Sequence, residues 1–92
     1  MHPDGTQELQ LAQRYLDGRG VPHDPALAAT LLWKAVGKQN ARADVLLADL
    51  YIRGDGVAKS CDQARLLLVA ATEKSAPGAA ERLRNIESGG CR

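Results

Sequence analysis

The side chains best suited to metal binding or thiol chemistry in this 92-residue sequence are those of His2, His23, Cys61 and Cys91. No two of them stand at the close spacing of a Cys-x-x-Cys or His-x-x-x-His ligand pair, so a metal site would need four separate segments to converge. A nucleophile activated by a histidine would need a Ser or Cys placed beside it, and no readable motif provides one. We therefore predict no metal, no cofactor and no catalytic residue.

The charged residues do not indicate a nucleic acid or a membrane as partner. Acids and bases are interspersed and the formal net charge is +1, whereas a nucleic-acid footprint needs a basic patch. No apolar run approaches the roughly twenty residues that cross a bilayer, and no secretory signal is recognisable at the start. The dispersed carboxylates are interpreted as parts of solvated helix faces; they are Asp44, Asp49, Glu73 and Glu81.

Two Gly-x-Gly turns, Gly18-Arg19-Gly20 and Gly54-Asp55-Gly56, invite comparison with phosphate-binding loops. Such a loop needs a strand before it, a helix after it and a third glycine that exposes backbone amides to the anion. Here an amphipathic helical pattern comes before each turn, and His23 and Lys59 occupy the third-glycine positions. The turns are therefore predicted to end helices, because glycine adopts positive φ without strain.

The same turns belong to a longer repeat. Residues 11–21 recur as residues 47–57, with Leu, Ala, Tyr, both glycines and Val in register. The register continues downstream in a second helical stripe, which reads Ala28, Leu31, Leu32 and Ala35 in the first copy and Ala64, Leu67, Leu68 and Ala71 in the second. A period in the thirties predicts stacked helical hairpins. Abundant Ala and Leu with no Phe favour an all-helical fold.

Capping signals and apolar periodicity predict five helices. The third, from about Ala41 to Arg53, is apolar nearly all round and should lie in the middle of the domain. The first and fifth have one apolar face each, which is typical of terminal helices. Additional hairpins before the first remain an alternative. The predicted starts are Asp4 or Thr6, then Asp24 before Pro25, Asn40, Ser60 with Gln63, and Ser75-Ala76-Pro77.

These residues resemble Sel1-like repeats, which are related to tetratricopeptide repeats. The resemblance rests on the pattern Leu-Ala-x-x-Tyr-x-x-Gly-x-Gly-Val at residues 11–21 and 47–57, each followed by an Ala-x-x-Leu-Leu-x-x-Ala helix. It covers roughly residues 6–89. The family usually has Gly where Gln39 and Ser75 stand, and aromatic residues where this chain has Leu31, Leu32, Leu67 and Leu68.

The resemblance implies an all-α fold, an α/α right-handed superhelix of five helices. Residues 1–92 would form a single domain, with one repeat at about 6–40, a second at about 41–75 and a capping helix at about 76–89. It also implies an adaptor for proteins or peptides that has no catalytic role, and many bacterial members are exported.

In that arrangement the chain after the fifth helix returns past the start of the fourth, so Cys91 would lie near Cys61. A disulfide between them would close a loop of about thirty residues and stabilise so small a domain by roughly 3 to 4 kcal/mol. The bond would favour an extracytoplasmic compartment. Two unpaired thiols, or a reactive Cys61 at a helix N-terminus, remain alternatives, and they would favour the cytoplasm.

A concave surface lined by the first helix of each hairpin would be the place where a partner binds. Carried over position by position, it comprises Gln13, Asp17, Arg42, Asp49, Arg53 and Asn85. This mixed polar strip could hydrogen-bond an extended peptide or a carboxylate, although an ordinary solvated groove would show the same composition. Trp33 lies off the core stripe, so it is expected to pack against the next repeat or to rest half-buried on the convex side; the alternative is an aromatic contact to a partner.

The sequence therefore predicts a non-enzymatic interaction module with a protein or peptide partner of unspecified identity. It would be a domain of a larger bacterial protein that works outside the cytoplasm. The alternatives are a spacer domain without its own ligand and, in a different class, thiol or hydrolytic chemistry centred on Cys61.

Overall fold

Five α-helices follow one another in the computed structural model, which describes residues 4–91. No strand is present in that part of the chain, as the sequence analysis predicts. The helices pack in chain order, each against the next, as expected for an α/α superhelix. They are α1 (Thr6–Asp17), α2 (Pro25–Gly37), α3 (Ala41–Arg53), α4 (Cys61–Glu73) and α5 (Ala79–Glu87).

Three helix starts coincide with the predicted ones because their caps are local. The side chains of Asp24, Asn40 and Ser60 each accept a hydrogen bond from the backbone amide three residues on, at 3.1, 3.0 and 3.1 Å. Pro25 occupies the first helical position of α2, where its missing N–H leaves no hydrogen bond unmade. These predictions of the caps are confirmed.

Helix α1 begins at Thr6, which is one of its two predicted starts, and the side chain of Asp4 accepts a hydrogen bond from the amide of Thr6 at 3.1 Å. Its N-cap is nevertheless Gly5, with a φ of 82°. The start of α5 differs from the prediction. Helix α5 begins at Ala79, after the segment 75–77 that was predicted to open it. The reason is Gly78, whose φ of 80° is not helical and keeps Pro77 outside the helix.

Alanine provides most of the close helix contacts. Helix α3 lies in the middle of the fold, since six of its residues are buried, which confirms the prediction from its all-round apolar pattern. Because the methyl side chain is short, helices can approach closely while larger leucines, such as Leu32, Leu47 and Leu68, fill the remaining space. The alanines with no exposed surface are Ala12, Ala28, Ala35, Ala43, Ala48, Ala64, Ala71 and Ala79.

The turns that end α2 and α4 use left-handed residues that are not glycine. Gln39 has a φ of 67° and Ser75 a φ of 59°. In both turns the backbone amide of the following residue donates a hydrogen bond to a carbonyl in the last turn of the helix. Asn40 donates to Ala35 at 3.0 Å, and Ala76 donates to Ala71 at 2.9 Å. The chain thus keeps the turn for which Sel1-like repeats use Gly, at a steric cost to the two side chains.

We expect Gln39→Gly and Ser75→Gly each to raise the free energy of unfolding by up to about 1 kcal/mol. Relief of the left-handed conformation contributes roughly 1–2 kcal/mol, and the greater entropy of glycine in the unfolded chain offsets part of it. Urea denaturation of each variant measures the change. The control is Lys34→Gly inside α2, which should destabilise by about 1 kcal/mol or less; equal destabilisation by all three glycines would contradict the explanation.

Candidate functional site

A cleft of about 220 Å³ opens where α1, α3 and the turn before α5 meet. Its lining residues are Gln13, Arg42, Val45, Leu46 and Pro77. Val45 is buried and Leu46 half-buried, whereas the other three are exposed. The cleft therefore has an apolar floor, with one amide and one guanidinium at an open rim.

Two of the six side chains assigned to the concave surface from sequence, Gln13 and Arg42, line this cleft. Arg53 and Asn85 are exposed and are not among its lining residues. The binding role of all six stays a prediction.

The two acidic members of the predicted surface already have partners within the chain. Asp49 accepts a hydrogen bond from Nε of Arg82 at 2.9 Å, which ties α3 to α5. Asp17 lies 3.3 Å from the guanidinium of Arg19 in an exposed pair. A carboxylate from a partner would therefore meet little repulsion from either acid.

Sequence reasoning did not assign Val45, Leu46 and Pro77 to the site. The apolar residues of α3 were interpreted as buried core, and Pro77 was assigned to a helix start. The available signal was the spacing of Leu46 four residues after Arg42, because side chains four apart lie on the same face of a helix.

Arg42 is the charged group of the cleft. It makes no ion pair or side-chain hydrogen bond with any residue in the described part of the chain. No acidic residue lines the cleft. The rim therefore presents a guanidinium whose donors remain available to a ligand.

Trp33 packs against the second hairpin, which is one of the roles that the sequence left open. Its ring meets that of Tyr51 edge-on, with centroids 6.2 Å apart and planes at 72°. Its Nε1 also donates to the hydroxyl of Tyr51 at 3.3 Å. The indole remains 39% exposed, and a role in binding a partner stays a prediction.

Cys61 and Cys91 form the predicted disulfide, with their Cα atoms 5.8 Å apart. The bond joins the first residue of α4 to the segment after α5, and neither cysteine is free. The hypothesis of thiol chemistry at Cys61 therefore has no nucleophile in this structure. Cys91 is buried, and Cys61 is half-buried.

The remaining metal-binding candidate among the described residues is His23. His23 lies on the surface, where its Nδ1 is 2.9 Å from the carbonyl oxygen of Leu16. Within residues 4–91, no group of three or more His, Cys, Asp or Glu side chains is placed to hold a metal ion. His2 lies outside the described residues.

Two carboxylates in equivalent positions of the repeat differ in environment. Asp44 is only 1% exposed and lies 3.3 Å from Nζ of Lys74, so its assignment to a solvated helix face was wrong. Burial raises the pKa of Asp44, an effect that Lys74 partly opposes. Glu8, thirty-six residues earlier in the repeat, pairs with Lys38, and this hydrogen bond lowers the pKa of Glu8.

We expect the double variant Cys61→Ser/Cys91→Ser to lose about 3 to 4 kcal/mol of unfolding free energy, because the bond closes a loop with a sequence separation of 30. Denaturant unfolding with and without reductant measures the loss. Reductant should lower the wild type to the level of the variant and leave the variant unchanged. A wild type that does not respond to complete reduction would contradict the stabilising role.

The contributions of Asp44 and Glu8 to the free energy of unfolding should change in opposite directions with pH. The folded pKa of Asp44 is raised from 3.8, so its contribution to stability is full below that value and is lost as pH rises through the folded pKa. The folded pKa of Glu8 is lowered from 4.5, so its contribution is full above that value and is lost as pH falls through the folded pKa.

The measurement is urea unfolding of wild type, Asp44→Asn and Glu8→Gln from about pH 3 to pH 7. The wild type minus Asp44→Asn difference in unfolding free energy should fall with rising pH. The wild type minus Glu8→Gln difference should rise. If the two differences changed in the same direction with rising pH, the assigned environments would be disproved.

Two solved structures resemble the chain over most of its length. A Sel1 repeat protein from Oxalobacter formigenes matches 97% of this chain with a TM-score of 0.87 and 26% identity. A protective antigen present in uropathogenic Escherichia coli strains, which displays an SLR fold, matches 76% with a TM-score of 0.74 and 31% identity. The chain spans 36% and 15% of those two proteins, respectively. No family model and no curated protein matches the sequence.

None of the helices within residues 4–91 has the length and apolar character that crossing a membrane requires.

The repeated residue pattern, the five-helix fold and the two structural neighbours identify the chain as a Sel1-like repeat protein.

Proposed function

We propose that this chain is a non-enzymatic module that binds an extended segment of another protein through its concave surface. The observation that carries the proposal is the cleft at the junction of α1, α3 and the turn before α5. It combines an apolar floor with polar groups at the rim, which is the usual make-up of a recognition site.

The size of the cleft favours a peptide that inserts one or two side chains over a small molecule that the protein would enclose. At about 220 Å³, it is smaller than the roughly 300–1,000 Å³ of pockets that enclose drug-sized molecules. It therefore suits one or two side chains of a chain that continues beyond it.

The lining is also well ordered for binding. Gln13, Arg42, Val45 and Leu46 all stand on helices, so little backbone freedom would be lost when a ligand binds. The ion pair between Asp49 and Arg82 holds α5 beside α3, which fixes Pro77 at the edge of the cleft. Two hairpins and α5 would act together as one domain.

A spacer domain without its own ligand is the second candidate. It is favoured by the internal pairing of Asp17 and Asp49, since side chains that already have partners need no ligand. The unpaired Arg42 beside an open apolar floor favours the binding module instead.

We further propose that the module is part of a larger bacterial protein outside the cytoplasm. The disulfide between Cys61 and Cys91 supports an oxidising compartment. The two structural neighbours are much longer than this chain, which supports a larger parent protein. The alternative is a cytoplasmic protein whose cysteines are kept reduced.

The test selects peptides from a random displayed library on the native, oxidised protein. The selected peptides should bind wild type and lose at least about tenfold in affinity on Leu46→Glu, because the new carboxylate fills the cleft and pairs with Arg42. The matched control is Leu66→Glu on α4, where Leu66 is already 62% exposed, and it should bind like wild type. Unchanged binding to Leu46→Glu, or equal losses on both variants, would exclude the cleft as the site.

A further inference from the structure

We infer that the cleft recognises an acidic side chain and an aliphatic side chain two positions apart in an extended peptide. This inference rests on the proposed function, and it names the chemistry of the partner. The first argument is charge: Arg42 has no partner within residues 4–91, and no acid lines the cleft. A carboxylate is the group that best satisfies a guanidinium with free donors.

The second argument is spacing. Arg42 and Leu46 are four residues apart on one helix face, which separates them by about 6 Å along the axis. In an extended peptide, side chains two residues apart lie on the same face, at about 6.5 to 7 Å. An acid at one position and Leu, Ile or Val two residues away therefore match Arg42 and the apolar floor.

The other lining residues fit the same ligand. Val45 and Leu46 on α3 and Pro77 before α5 form a wall without hydrogen-bonding side chains, which suits an aliphatic side chain. The Gln13 amide stands across the cleft on α1 and can both donate to and accept from the peptide backbone. It is exposed and makes no side-chain hydrogen bond within residues 4–91.

The carboxylate is assigned to an Asp or Glu side chain rather than to a chain terminus. Three of the five lining residues are exposed, so the cleft is open at the rim and a peptide can run through it. A terminal carboxylate would be expected at a closed end.

The experiment titrates the oxidised protein with blocked peptides and follows the NMR signals of the Arg42 Nε–H and the Gln13 amide. The reference peptide is acetyl-Ser-Glu-Gly-Leu-Ser-amide. We expect saturable shifts at both signals, with affinity at least about tenfold weaker when Glu is replaced by Gln. Replacement of Leu by Ser should also weaken binding severalfold. A third peptide that lacks acidic side chains but has a free terminal carboxylate should bind no better than the Gln peptide.

Two matched arginine variants separate a seated carboxylate from general attraction between opposite charges. Arg42→Gln should weaken the reference peptide at least about tenfold. Arg84→Gln removes an exposed arginine on α5 that does not line the cleft, and it should bind within about twofold of wild type.

The inference is overturned if the Glu and Gln peptides bind equally, if no peptide of the series binds at millimolar concentration, or if both arginine variants weaken binding equally. Preference for the free terminal carboxylate overturns it in favour of chain-end recognition. If binding of the library peptides is weakened by Leu46→Glu but not by Arg42→Gln, the inference of an acidic partner is overturned while the proposed function stands. If Leu46→Glu has no effect on them, both proposals fail.

Discussion

The spacing of the two hairpins depends on one close backbone approach, between the turn after α3 and the start of α2. Gly56 has a φ of 77°, and a Cβ there would lie 2.4 Å from the carbonyl carbon of Pro25. No side chain fits that gap. One repeat further on, the positions equivalent to Pro25 and Asp55 are Cys61 and Cys91, which form the disulfide. The chain thus holds the turn after α3 against the start of α2 by close backbone packing at Gly56, and the segment after α5 against the start of α4 by a covalent bond.

These two links help to set the geometry of the candidate site. The first holds the turn after α3 against the start of α2, and the second holds the segment after α5 against the start of α4. Because the cleft is formed by α1, α3 and the turn before α5, its width depends on the distances between successive hairpins. The ion pair between Asp49 and Arg82 adds a direct link from α3 to α5 on the same side.

The features that could be predicted from sequence are those that depend on neighbours close in the chain. An N-cap such as Asp24 or Asn40 satisfies an amide three residues away, so the residue type alone indicates it. The burial of Asp44 could not be read in this way, because its partner Lys74 lies thirty residues further on. The cleft was missed for a related reason: an all-round apolar pattern in α3 does not show which part of its surface the neighbouring helices leave uncovered. Pro77 lines the cleft from the turn before α5, which Gly78 keeps outside the helix.

The in-register comparison of α1, α3 and α5 shows why the middle helix is the centre of the site. Ala43, Leu47 and Leu50 of α3 have no exposed surface, whereas Gln7 and Arg14 hold two of the equivalent positions of α1 and are exposed. On α5 and directly after it, the residues equivalent to Val45, Ala48 and Ile52 are polar and exposed; they are Glu81, Arg84 and the C-cap Ser88. The outer helices α1 and α5 therefore present polar surfaces to the solvent, whereas α3 lies between them.

The charges of α3 then decide what its exposed face can attract. Its two acids are both engaged with cations from later in the chain, Asp44 with Lys74 and Asp49 with Arg82. Its two arginines, Arg42 and Arg53, have no such partners among residues 4–91. One pair lies within the second hairpin and the other joins α3 to α5. Together they leave the two arginines of α3 as uncompensated positive charge, and Arg42 places part of it beside the apolar floor of the cleft. Since a guanidinium at an open rim loses little hydration before a ligand arrives, it can attract an anionic segment, and both the guanidinium and the apolar floor would then contribute to the affinity.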